Sequence, residues 1–88
     1  MAAYSIVLGA GVEKQIAALD KPIRRRVAAS IDALAADPRP AGAVALRDRS
    51  GSLRVRVGDY RIVYSVNDGQ LIVLVVDVGH RRQIYRGR

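Results

Sequence analysis

The chain has 88 residues and a mass of 9.5 kDa, which suits a single domain over 1–88 near the low end of what folds alone. Half of it is hydrophobic, enough for a core, but it has no Cys, Trp or Phe and one histidine, His80, which excludes a disulfide framework, a Cys- or His-built metal centre and an aromatic base-stacking platform. Lys and Arg outnumber Asp and Glu by 15 to 8, a net charge of +7, and all but two of the basic residues are arginine, a bias that favours planar, bidentate contacts to an anionic partner such as nucleic acid.

Residues 3–8 (AYSIVL) read as a strand, and the Leu-Gly-Ala-Gly that closes it reads as a strand-to-helix turn. It lacks the third glycine of a dinucleotide fingerprint and the Gly-Lys-Ser/Thr of a P-loop. Val12, Ile16 and Leu19 then mark one face of a helix. Asp20-Lys21-Pro22 interrupts it and opens a second helix, since proline is tolerated in the first turn. Ile23, Val27, Ile31 and Leu34 form its apolar stripe, with Arg24, Arg25 and Arg26 across the other faces, and Asp37-Pro38-Arg39-Pro40 ends it. So tight a connection predicts an antiparallel helical hairpin.

Residues 41–51 are a connector with room for a short strand at 44–47. Three strands follow at 52–57, 60–66 and 71–78, separated by Gly58-Asp59 and Asp68-Gly69, both suited to two-residue hairpin turns. The basic tail GHRRQIYRGR has room for a short last strand. The predicted fold is α+β: an N-terminal strand, a helical hairpin, then an antiparallel three-stranded meander with a short C-terminal strand or tail, β-α-α-β-β-β. No stretch is apolar for the length a membrane helix needs, and the N-terminus has no basic region ahead of a hydrophobic run. The expected setting is the cytoplasm, with no membrane partner.

A turn at 58–59 sets Arg56 opposite Arg61 and puts Leu53, Val55, Val57, Tyr60, Ile62, Tyr64 and Val66 on one face, under the helices. Arg54, Arg56 and Arg61 share the other face, with no acid between them, and like charges directly opposed across strands are destabilising unless an anion relieves them. The alternative is that Arg54 and Arg56 guard an edge against aggregation. A turn at 68–69 sets Val76 opposite Arg61, so a folded-back tail would bring Arg81 and Tyr85 to the same cleft.

Arginine stays protonated, so these groups bind phosphate and stabilise growing charge but take no proton. Tyr85 and His80 are the candidates for hydrogen bonding or proton transfer, while His80 reads equally well as a surface histidine. Asp59 and Asp68 are explained as turn residues, and Asp77, unusual in a strand, as the partner of a nearby arginine. The carboxylates show no spacing that suggests a metal site, and no cofactor is expected. The set fits RNA cleavage in which the RNA's own 2′-hydroxyl attacks the adjacent phosphate.

Leu53-Arg54-Val55-Arg56-Val57-Gly58-Asp59-Tyr60-Arg61-Ile62-Val63-Tyr64, followed by Val78-Gly79-His80-Arg81-Arg82-Gln83-Ile84-Tyr85-Arg86, resembles the RelE/ParE superfamily of bacterial type II toxins, and its RelE-like branch more than ParE. The resemblance covers nearly the whole chain, including the helical hairpin that ends in Asp37-Pro38. It implies a toxin that cuts mRNA in the ribosomal A site, an endoribonuclease working without metal, and a co-expressed antitoxin that neutralises it through a helical, acidic segment in a toxin–antitoxin hetero-oligomer. By motif, Arg61 and Arg81 would contact the scissile phosphate and Tyr85 would orient the nucleotide, with Arg54, Arg56, His80 and Arg82 binding RNA. Relatives carry lysines where this chain has Arg54 and Arg56, which moves any proton transfer to Tyr85, His80 or an RNA or ribosomal group. The alternatives are a ParE-like toxin that inhibits DNA gyrase by binding, without cutting RNA, and a nucleic-acid-binding domain that is not a toxin.

Overall fold

In the computed structural model, which describes residues 3–46 and 51–80, the elements run β1 (Ser5–Leu8), α1 (Val12–Ala17), α2 (Lys21–Ala33), β2 (Val44–Ala45), β3 (Ser52–Val57), β4 (Tyr60–Asn67) and β5 (Ile72–His80). The strands form one five-stranded sheet in the order β1-β5-β4-β3-β2. The α+β class and the antiparallel β3-β4-β5 meander agree with the sequence pattern. The strand at the N-terminus joins it by pairing in parallel with β5, Ser5 with Ile72 through Leu8 with Val75.

The glycines after β1 have local reasons. A Cβ on Gly9 would stand 2.9 Å from the Val75 carbonyl oxygen, which accepts the Gly9 N–H at 2.7 Å. Gly11 has φ +81° where the chain turns into α1, a conformation that glycine adopts without steric cost. Pro22 sits in the first turn of α2, as expected.

Val12 from α1 and Val27, Ile31 and Leu34 from α2 and its C-terminal end meet Val55, Val57, Ile62, Tyr64, Val73, Val75 and Val78 from the sheet. Ile16, Leu19 and Ile23 pack against this core half-buried. The helical stripes therefore do what their spacing predicts. The Tyr64 hydroxyl, buried with its ring, donates to the Pro38 carbonyl at 2.7 Å and fastens the segment after α2 to the sheet.

The β3–β4 register is the expected one: Arg56 pairs with Arg61 and Val57 with Tyr60. Gly58 takes φ +60° at the first turn position, which a two-residue hairpin with glycine there requires. The β4–β5 register differs. Gly79, not Val76, stands opposite Arg61. Asn67 pairs with Ile72, so the loop holds residues 68–71 rather than 68–69, and an irregularity beside Val63 and Tyr64 adds one residue to β5. The loop is longer because its groups have other partners. Asn67 Oδ1 accepts the Gln70 N–H at 2.9 Å, Leu71 takes φ +56°, and the Leu71 carbonyl accepts the Ser5 N–H where β1 begins.

Candidate nucleic-acid interface

The helices cover one face of the sheet, and strand alternation sends Arg54, Arg56 and Arg61 to the other. Arg56 and Arg61 are directly opposed, and Arg54 pairs with Val63 on the same face. Val63 is 1% exposed yet lies outside the core cluster. The arginines therefore stand around an apolar, closely covered centre. Arg56 is exposed, with Nε donating to the Gly58 carbonyl at 2.9 Å; Arg54 and Arg61 are half-buried. Across from Arg61, Gly79 contributes no side chain at that position of the face. Three guanidinium groups fixed on one rigid sheet can grip phosphate oxygens and stabilise negative charge, and cannot serve as bases.

The edge-guarding alternative fits less well. Arg54 pairs with Val44 of β2, so at that point β3 is not the sheet edge.

His80 takes a different position. It pairs with Tyr60 at the end of the sheet, on the side facing the helices, and the two rings meet edge-on with centroids 5.5 Å apart. Alternation thus separates it from the face of Arg54, Arg56 and Arg61. Arg81, Arg82 and Tyr85 lie outside the described residues.

Among the described residues Asp77 pairs with a glutamine and not with the arginine expected for it. Its Oδ1 accepts from Gln15 Nε2 at 2.7 Å, while Gln15 Oε1 accepts the Val78 N–H at 2.9 Å. One glutamine of α1 therefore satisfies two groups of β5 beyond the end of β1. An acid within an apolar strand was the signal, although the sequence did not point to an amide as its partner.

Asp68 does more than shape a turn. Arg39 binds it with two hydrogen bonds, 3.1 and 2.9 Å, and the Tyr4 hydroxyl donates to it at 2.6 Å. Hydrogen bonds from Arg39 and then Tyr4 lower the Asp68 pKa to about 2, and the same carboxylate raises that of Tyr4. This tie joins β1, the segment after α2 and the β4–β5 loop, and it was not foreseen.

Among the described residues, no three His, Asp or Glu side chains gather as a metal site. No described helix is long and apolar enough to cross a membrane.

Known proteins resemble this chain in sequence and in architecture. The family described as "ParE toxin of type II toxin-antitoxin system, parDE" matches residues 6–85. The chain belongs to this family, within the RelE/ParE superfamily of type II toxins. Toxin RelG of Mycobacterium tuberculosis is 34% identical over 53 residues, which are 60% of this chain and 61% of that protein. The toxin–antitoxin complex RelBE2 of the same organism contains a chain that aligns with TM-score 0.78 at 25% identity, covering 92% of this chain and 94% of its own. The archaeal RelE–RelB complex of Pyrococcus horikoshii contains one at TM-score 0.79 and 27% identity, covering 90% and 96%.

Proposed function

We propose that this toxin inhibits translation as a ribosome-dependent mRNA endoribonuclease that works without metal. The observation that carries the reading is the face of Arg54, Arg56 and Arg61, with Arg56 directly opposite Arg61. In the proposed reaction the RNA 2′-oxygen attacks the adjacent phosphorus and the bond to the 5′-oxygen breaks. The products are a 2′,3′-cyclic phosphate and a 5′-hydroxyl. Charge grows on the phosphoryl oxygens, where fixed guanidinium groups stabilise it most. Arg61 and Arg81 carry that role, Tyr85 orients the nucleotide, and Arg54, Arg56 and Arg82 bind the RNA. His80, against Tyr60 on the helix-facing side, binds RNA at the end of the sheet. The proton from the 2′-hydroxyl goes to a group other than arginine, and one proton is delivered to the 5′-oxygen as it leaves.

A cognate antitoxin completes the proposal, supported by the RelBE2 and RelE–RelB complexes among the structural relatives. A groove lined by Leu8, Ile16 and Ala17 together with Glu13, Lys14 and Arg24 suits a helical acidic segment with one apolar face. Arginine at 54 and 56, in place of lysine, together with the match to the ParE family, favours a second reading: inhibition of DNA gyrase by binding.

In vitro translation with primer extension on the message tests the choice. Cleavage at codon positions, lost in Arg81→Ala and weakened in Tyr85→Phe, is expected. Intact message, with gyrase supercoiling inhibited by the same preparation, would establish the second reading instead.

A further inference from the structure

The basic surface does not stop at the edge of the arginine face. At the β3–β4 turn, Arg56 reaches Gly58 from that face, its Nε on the Gly58 carbonyl at 2.9 Å. Arg26 reaches the same glycine from α2 in the helical layer, its Nη1 3.6 Å from where a Gly58 Cβ would stand. Two guanidinium groups from opposite layers of the fold thus converge on one residue that has no side chain. Arg61, opposite Arg56, continues the series across the sheet. Arg26 is exposed and, among the described residues, makes no ion pair or hydrogen bond. Asp59, the carboxylate next in the turn, is exposed and likewise forms no ion pair with either arginine.

We propose that Arg61, Arg56 and Arg26 form a continuous phosphate-binding belt that leads a single RNA strand around the β3–β4 turn from the sheet face onto α2. Arg26 holds a phosphate beyond the segment gripped by the face itself. This rests on the RNA reading above and assigns Arg26 to strand binding rather than to the reacting phosphate. Gly58 keeps the passage narrow in protein and open to the strand, and Asp59 opposes binding there by repulsion. An RNA strand is the partner of choice because arginines spaced along a path match a chain of regularly spaced phosphates.

The test uses uncleavable 2′-O-methyl RNA of about 3 and about 12 nucleotides, with affinity measured across a salt series. Arg26→Ala should weaken the longer RNA several-fold and make its log–log salt slope shallower by about 0.7, one single-strand phosphate contact, while leaving the shorter RNA unchanged. Arg26→Lys should keep the slope, Arg26→Gln should lose it at unchanged melting temperature, and Asp59→Asn should tighten the longer RNA alone. An unchanged slope in Arg26→Ala, or equal losses on both RNAs, would overturn the belt, as would wild-type protein that binds neither. RNA binding with this length dependence but no cleavage of translated message would leave the belt standing and overturn the nuclease reading.

Discussion

Asp68 shows how one exposed carboxylate can organise three segments. Its folded pKa of about 2 lies below the roughly 3.9 of an unfolded aspartate. The contribution of the tie is therefore complete above the unfolded value and is lost as pH falls through the folded one. The difference in melting temperature between wild type and Asp68→Asn should be largest near neutral pH and shrink between about pH 4 and about pH 2. A difference that stays constant through that range would separate the stability from this carboxylate. Tyr64 is the buried counterpart. Burial raises its pKa, so the hydroxyl stays protonated and able to donate to the Pro38 carbonyl. Tyr64→Phe leaves that acceptor in a buried site without its donor and should cost about 1–3 kcal/mol in urea unfolding, with the secondary structure retained.

At the scale of elements, the β3–β4 hairpin was legible to the residue, because alternating apolar positions and Gly58-Asp59 agree on one register. The β4–β5 hairpin was not. Asp68-Gly69 has the composition of a two-residue turn, but Asp68 is held by Arg39 and Tyr4, and the Leu71 carbonyl starts the pairing with β1. Those are long-range partners that a local pattern does not contain. The same holds for the extra residue in β5, which moves Gly79 opposite Arg61. The approach of β1 to β5 at Gly9 is equally a tertiary matter, since any Cβ there meets the backbone oxygen of Val75 at 2.9 Å. Gly9→Ala should destabilise the protein by about 1–3 kcal/mol, read as a lower urea midpoint with an unchanged slope. A neutral substitution would mean that β1 shifts freely along β5.

The whole molecule divides its labour between two faces of one sheet. Valines and Tyr64 on one side build a core with the helices, and arginines on the other side gather positive charge. That division, and with it Arg54, Arg56 and Arg61 as a set, follows from alternation in β3 and β4 and could be read from the sequence. His80 could not be placed that way, because its side of the sheet depends on the extra residue in β5. Arg26 lay beyond reach for another reason: its approach to Gly58 joins two layers that are distant in sequence. The most direct test of the nuclease account is the single-turnover rate of message cleavage on translating ribosomes by wild type and Arg61→Ala, each shown to be folded by its melting curve. Removal of one charge-stabilising donor should slow cleavage by about 10²–10³-fold. Cleavage by Arg61→Ala at the wild-type rate would contradict the account.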